Sequence, residues 1–542
     1  MEILRFIAGM PPFQARSIDP TALARAQKVE RFSFLLNGWN EIGESESSEA
    51  EHALRELERL FPSAGIIVAT RTHHIVPPLP GAIRLRLLTI SRHKGAAYLR
   101  ARLGSRADEF HQKLLSDRVL DGLTRTPFIL SEITSIFEAG EPIPTTKIGV
   151  LNAVTRLLEQ SHEHRNHLQQ EPLVGRARNY MQEIALRVTA RGGATISDED
   201  ARSTANFVAA RLREAGQLAT LPEPAAVLNT LCAHHVLERL DYPSIAFRFE
   251  HQQFQEFYAA LEIRRQLLDI VAKKDERETR VFAKNYVNEP SWTEVLRMIA
   301  DDISGLTAEA SRSADAVQAG RILVEMALQI DPVFSAELSQ LCGASVWQEV
   351  RPAVVGRLRA LYSVPEEHYR QLALAAMLAS GSDEFRDIIV PILSGESQQD
   401  RLGAYRAWSE FHLSSLGPNW TDAVRYWKDE ARVGFVSEIL HNRNVSEVVS
   451  FALADPSLKV KEAAIKGLAW IGAEDDAIRF LKALVGEPED MADLRDLIRA
   501  DIERVKRGRE ARARGGLGTE IHSLRVAGRG NRFGLWPVRR ST

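Results

Sequence analysis

Residues Phe32–Leu36 read Phe-Ser-Phe-Leu-Leu and close on Asn37-Gly38; further on, Gly65–Thr70 read Gly-Ile-Ile-Val-Ala-Thr and close on Arg71. Between them Ala53, Leu54, Leu57, Leu60 and Phe61 recur at helical spacing. Two short, continuous apolar runs separated by an amphipathic helix predict parallel strands covered on both faces. Ile83–Leu87 (IRLRL) alternates like a third strand. This is part of an α/β layer that begins midway.

Working outward, the pattern after Ser91 is overwhelmingly helical. Pro144-Thr145-Thr146 is a helix start, followed by Ile148, Leu151, Val154 and Leu158 on one face. Several helical segments fill Leu173–Leu240. Ile245–Phe249 (IAFRF) is strand-like, and a helix runs from Gln252 to about Ile270. Short strands attached to small helices suggest a winged-helix unit. Beyond Ser291 the chain reads as repeated helix pairs, at Ala308–Leu328, Tyr369–Leu378, Glu384–Leu393, Leu402–Phe411 and Val445–Leu453. Asp455–Val485 is the clearest pair: one helix carries Val460, Ala463, Ala464 and Leu468, Gly472 closes it, and a second carries Ile478, Leu481 and Leu484. A single pair cannot bury both its faces, so stacked HEAT-like copies are expected. From Arg504 to Thr542 eleven Lys/Arg stand against Glu510 and Glu520, among helix-breaking glycines. That stretch is either a flexible basic tail or a contact for nucleic acid or acidic partners.

Composition narrows the class. The chain has 542 residues, 44% of them hydrophobic and 26% charged, which excludes a mainly disordered protein. A formal charge of −3 gives no global field that argues for nucleic acid or membrane. The two cysteines, Cys232 and Cys342, form neither a disulfide framework nor a CxxC knuckle. No apolar run of membrane-spanning length and no signal-peptide pattern is found, so a cytoplasmic, multidomain protein is expected.

The chemistry-bearing residues lie at strand ends, where ligands gather in doubly wound sheets. Glu41, in Asn37-Gly38-Trp39-Asn40-Glu41, could orient or deprotonate a water attacking a phosphoryl group; alternatively Asn37-Gly38 is a turn and Glu41 a helix cap. Arg71 could reach a terminal phosphate with its fork, or be a surface arginine. His162, His164 and His167 have spacing reminiscent of metal ligands, but no Cys or acidic cluster accompanies them, so a solvated helix end is expected. The doublets His73-His74 and His234-His235 face different ways on most backbones, and no metal site is expected.

In order along the chain, these segments resemble the distal half of a NACHT-type nucleotidase, a STAND-class P-loop NTPase that acts as a signalling switch. FSFLLNGWNEI looks like the Walker B strand, with Asn37 and Glu41 at its catalytic positions. AGIIVATR looks like the sensor strand ending in Arg71. LRLLTISRHKGAAYLRARLG (Leu85–Gly104) is similar to the helix after the last core strand. LTRTPFILSEITSIFEAGEPIP (Leu123–Pro144) resembles the segment whose proline, here Pro127, packs near adenine. FRFEHQQFQEFYAALEI (Phe247–Ile263) is similar to the winged-helix motif, with His251 at the histidine that touches a bound diphosphate. On residues alone, His251 reads rather as a histidine packed on the apolar face of Phe249, Phe254 and Phe257; the resemblance tips it to the functional reading.

The resemblance implies a mainly α chain with a partial N-terminal α/β core (an incomplete P-loop NTPase parallel sheet), a winged-helix module and C-terminal HEAT-like repeats. The implied divisions are a distal nucleotidase half over 1–115, a helical domain over 116–175, a winged helix over 176–290, repeats over 291–503 and a basic tail over 504–542. It also implies ATP or ADP with Mg²⁺ as cofactors of the intact family, a protein ligand on the repeats, homo-oligomers and a role such as bacterial defence or regulation. Two departures weaken the nucleotide part. No Gly-Lys dipeptide occurs, so GxxxxGK[ST] and its phosphate cradle are missing, as in an N-terminal truncation. The Walker B aspartate is Asn37, which lacks the charge that helps hold Mg²⁺. Tight ATP binding and hydrolysis are therefore not expected. The rival reading is a non-enzymatic helical-repeat scaffold; a third is nucleic-acid binding through the basic tail.

Overall fold

The computed structural model of the chain describes residues 5, 8, 16–29, 33–36, 39, 47–62, 64–70, 90, 92–116, 118–161, 164–240, 244–307, 313–395, 397, 413–441 and 445–470. The Ile83–Leu87 run, the His73-His74 doublet, the Leu402–Phe411 helix, the second helix of the Asp455–Val485 pair and the basic tail lie outside the described residues.

The strand–helix–strand order and parallel pairing hold, but the expected cover on both faces does not. Helix α1 (Pro20–Val29) is followed by β1 (Ser33–Leu36), α2 (Ser47–Leu60) and β2 (Gly65–Val68). The two strands pair in parallel, with Phe34 opposite Ile66 and Leu36 opposite Val68. Alternation then divides the faces. Phe34 turns inward onto Leu57 and Phe61 of the crossover, its ring 5.3 Å from that of Phe61. Leu35 and Ile67, also opposite each other, point the other way and are 73% and 60% exposed.

A run of helices follows: α3 (Arg92–Leu103), α4 (Ala107–Ser116), α5 (Arg118–Leu123), α6 (Pro127–Glu138), α7 (Lys147–Gln160) and α8 (Arg165–Gln169). Local chemistry explains their starts. Pro127 occupies the first turn of α6, where its missing N–H costs nothing. The Thr146 hydroxyl caps α7 by accepting from the Gly149 N–H. Ile148 and Leu151 are buried, whereas Val154 and Leu158 are half-buried. The N–H of Lys147 also donates to Asp301 Oδ2 at 2.8 Å, fixing α7 against a later helix.

Next come α9 (Ala177–Ala190), β3 (Thr195–Ser197), α10 (Asp198–Glu214), α11 (Pro224–His234), β4 (Leu237–Leu240) and β5 (Ala246–Phe249). The strands form an antiparallel sheet in the order β3-β5-β4. Leu237–Leu240 was expected to be helical and is a strand. Its Glu238 and Arg239 mask the apolar alternation, and the pairing is non-local: Leu237 faces Phe249 and Arg239 faces Phe247. Arg248 Nε donates across the strands to Glu238 Oε2 at 2.7 Å.

The long α12 (Gln252–Lys273) is the centre of this region. Phe254, Phe257, Tyr258, Ala259, Ala260, Ile263, Leu267 and Ile270 are all buried, because α9, α14 (Thr293–Thr307) and α15 (Ser313–Ile330) pack around it. Each large apolar side chain so buried contributes about 1.5–3 kcal/mol. Lys274 ends the helix in the left-handed region, and Asp275 caps α13 (Glu276–Phe282). After α15 come α16 (Pro332–Leu341) and α17 (Ala344–Tyr362).

The chain divides into two compact units, Met1–Gly81 with Tyr98–Gly356, and Ala82–Ala97 with Arg357–Thr542. The second contains α18 (Glu367–Ala379), α19 (Arg386–Ser394), α20 (Trp420–Arg425), α21 (Asp429–His441), α22 (Val445–Ala454) and α23 (Leu458–Trp470). There α21 packs on α23, and Phe435 gathers Trp420, Trp427 and Phe451 around it. Val460, Ala463, Ala464 and Leu468 are buried, as their spacing requires. The described chain is mainly helical, with a few short strands in two small sheets. No helix among the described residues is long and apolar enough to cross a membrane.

Candidate functional site

Of the five residues singled out by sequence, Asn37, Glu41 and Arg71 lie outside the described residues. The other two, Pro127 and His251, start helices whose first residues meet. Pro127 opens α6 and is exposed, and Phe128 follows it. His251 stands immediately before α12 with an extended backbone, and its carbonyl accepts from the Phe254 N–H at 2.9 Å. The Phe128 ring packs on His251 at 4.7 Å between centroids, inclined by 61°, and edge-on to Phe254 at 5.7 Å. The imidazole is exposed and does not cap α12; its ring nitrogens take no hydrogen bond among the described residues. The exposed imidazole sits on Phe128 and near Phe254.

Charges surround this contact. Glu132 lies one turn along α6 from Phe128, on the same face. Burial holds the Glu132 carboxyl above its ordinary range, Arg102 opposes that rise, and Glu250, next to His251, adds to it. Arg102, on α3, grips α6 along its length. It donates to Ser131 Oγ (3.3 Å), Ser135 Oγ (2.8 Å), Glu138 Oε2 (2.8 Å) and the Tyr98 hydroxyl (2.9 Å). Its hydrogen bonds to Glu138 and then Tyr98 hold the guanidinium above its usual range. The Arg102 clamp fixes α6 and with it the position of Phe128 against His251.

Phe128, Arg102, Glu132 and Glu250 were missed in the sequence. Only the position of Phe128 beside Pro127, and of Glu132 one turn later, carried any signal. A second polar cluster was missed as well. His235, adjacent to His234 but turned inward, has Nε2 at 3.3 Å from both Glu159 Oε1 and the Tyr258 hydroxyl. His164 and His167 stand at a helix start, half-buried and exposed, in keeping with the solvated helix end expected, and both also meet His234; His162 lies outside the described residues. Among the described residues no group of three or more His, Cys, Asp or Glu side chains is arranged to hold a metal ion.

No protein-family model matches the chain, and no curated protein matches it.

Proposed function

We propose that this chain is a NACHT/STAND-like signalling module in which His251 reads a bound nucleotide diphosphate beside the Pro127 end of α6. The observation that carries this reading is the Phe128–His251 contact. It joins two segments far apart in the chain that resemble the adenine-side proline and the phosphate-reading histidine of one family. An exposed imidazole with unengaged nitrogens, set at the start of α12, suits donation to a phosphate oxygen.

Two further features support the reading. The parallel β1–β2 pair with its helical crossover matches adjacent Walker B and sensor strands. The order α9-β3-α10-α11-β4-β5, with β5 central in the sheet, is that expected of a winged helix. The helices beyond residue 291 serve, in this reading, as HEAT-like repeats that receive a protein ligand. Sensing rather than turnover is the proposed activity, because the chain carries Asn37 in place of a carboxylate.

Isothermal titration with ADP and ATP, with and without Mg²⁺, tests this. Micromolar to submillimolar ADP affinity that falls tenfold or more in His251→Ala supports the switch. Absence of heat at millimolar nucleotide would reject it in favour of a non-enzymatic helical scaffold.

A further inference from the structure

Positive charge gathers on one short stretch after α12. Lys274 ends that helix, and Arg277, Arg280 and Lys284 follow on α13 and on the π-helical turn Ala283–Val287. Residues three and four apart share a helix face, which puts Arg277, Arg280, Val281 and Lys284 on one side. All four are exposed. The side chains of Lys274, Arg277 and Lys284 take no hydrogen bond or ion pair among the described residues. Arg280 meets Glu276 at 3.2 Å, but the two side chains are 81% and 87% exposed, so water screens the pair and little of the charge is spent. The other carboxylate at the edge, Glu278, pairs with Lys273 at 3.2 Å.

The opposite side of this stretch is fixed. Phe282 is buried and stands edge-on to Tyr286 at 4.9 Å, and Tyr286 stands edge-on to Trp292 at 5.0 Å. The Tyr286 hydroxyl donates to Gln266 Oε1 of α12 at 3.1 Å. Asp275 Oδ1 accepts the N–H groups of Arg277 and Glu278 at 2.7 Å and 3.2 Å. The cations therefore project from a backbone that is already in place, and binding need not order it.

We propose that Arg277, Arg280 and Lys284, with Lys274 just before them, form a docking face for the phosphate backbone of a nucleic-acid duplex, gripped without regard to base sequence. The row spans about 10 Å, at ~1.5 Å of rise per residue. One duplex strand presents a phosphate about every 3.4 Å of its axis, so the row meets about three neighbouring phosphates. The formal charge of −3 gives the chain no global pull on nucleic acid, so the attraction is local and salt-dependent. Binding here needs no nucleotide at His251.

The make-up of the face selects this partner. Its one apolar member is Val281, 50% exposed. No aromatic ring shares the face, so a single strand finds no stacking surface. A bilayer is entered by Trp, Phe or Leu, whereas the large apolar side chain of α13, Phe282, is turned into the protein. A protein partner is held by aromatic or arginine anchors that become fully desolvated in a pocket, and a convex row of exposed cations builds no such pocket.

The test measures binding of the full chain to fluorescein-labelled duplexes of about 20 base pairs by anisotropy, between about 50 and 200 mM salt. Two unrelated DNA sequences and one RNA duplex are compared. Wild type should bind the two DNA sequences within threefold of each other. The double variant Arg277→Ala/Lys284→Ala should bind at least tenfold more weakly at the lower salt, and its salt slope should flatten by about 1.8, at about 0.9 per cation lost. Glu276→Gln, which removes the carboxylate beside Arg280, should tighten binding. These side chains are exposed, and circular dichroism checks that the variants keep their helix content. Equal binding by wild type and the double variant overturns the proposal, and so includes the case in which the basic stretch Arg504–Thr542 carries all the affinity. A loss seen only with phosphatidylserine vesicles, or only with polyglutamate, overturns it in favour of a membrane or an acidic protein.

Discussion

His235 and Glu159, 76 residues apart, meet with Nε2 3.3 Å from Oε1, and Tyr258 of α12 closes the same nitrogen from the other side. His235 Nδ1 accepts the Val236 N–H at 2.8 Å, which assigns the ring proton to Nε2. One neutral imidazole therefore serves α7, the start of β4 and α12 together. With His235 buried, His235→Leu would leave the Val236 N–H and the Tyr258 hydroxyl without this partner. The expected cost is about 1–3 kcal/mol. Urea unfolding should show it, and hydrogen exchange should show it first in Leu237–Leu240; an unchanged midpoint would mean that water replaces the ring at no cost.

The charges around His251 give the nucleotide reading a direction of its own. A diphosphate at that imidazole comes near Glu250, the adjacent residue, and Glu132 lies close enough for the two carboxyls to sense each other. Removing one negative charge there should favour an anion. Glu250→Gln is expected to tighten ADP binding about threefold to tenfold, more at low salt than at high. Calorimetry at two ionic strengths decides it, and weaker binding would place the phosphates elsewhere.

Legibility followed locality. The β1–α2–β2 unit and α7 were readable because their signals sit within the elements: β-branched and apolar runs, the Thr146 cap, and Ile148 and Leu151 on one face. Leu237–Leu240 was not, since a four-residue strand bearing Glu238 and Arg239 is apolar only at its ends, where Leu237 faces Phe249 and Leu240 faces Ala246. The Phe128–His251 contact is likewise set by packing between elements, and no local period encodes it. Pro127 and His251 were singled out through family resemblance. The neighbours that shape their surroundings, Arg102 and Glu132, emerged only from coordinates. His164 and His234 met for the same reason.

Gly320 marks a close approach of helices. A Cβ built there would lie 2.6 Å and 3.1 Å from the Val346 methyls and 3.3 Å from Ile303 Cγ2. Val346 is β-branched and fully buried on a helix, so it has little rotamer freedom with which to yield. Gly320→Ala gains about 1 kcal/mol of helix propensity but incurs about 1–3 kcal/mol of overpacking. A lowered melting midpoint is expected, with the double variant Gly320→Ala/Val346→Ala more stable than the two single losses would predict. Simple additivity would show that the helices part freely.

Glu132 should make stability depend on pH. Its folded-state affinity for a proton is raised, chiefly by burial, so the folded chain holds that proton more tightly than the unfolded chain does. Its contribution to folding is therefore fully present below the ordinary carboxyl range and is lost as pH rises through the raised value. Glu132→Gln, which mimics the protonated form, should raise the melting midpoint at pH 7–8 and change it little at pH 4. A variant destabilised at pH 7–8 but not at pH 4 would mean that the carboxylate makes a favourable ionised contact.

In the second unit Arg432 and Asp455 form a buried ion pair, with Nε 2.9 Å from Oδ2 and side chains 8% and 0% exposed. The Nε–Oδ2 approach lies off the hydrogen-bond line, and the geometry is held by neighbours. Arg432 Nη2 donates to Asp429 Oδ1 at 2.8 Å, Nη1 donates to the Trp427 carbonyl, and Asp455 Oδ1 accepts the Ser457 N–H at 2.8 Å. The pair thus ties the start of α21 to the turn that opens α23. Removing only the cation, as in Arg432→Ala, strands a buried carboxylate and should cost about 3–5 kcal/mol. Arg432→Met combined with Asp455→Asn removes both charges while keeping the volume and the Ser457 acceptor, and should recover most of that loss. Unfolding of the two variants side by side separates the pair's desolvation from its packing. A double variant as unstable as Arg432→Ala would show that the guanidinium matters for the carbonyls it satisfies, not for the charge of Asp455.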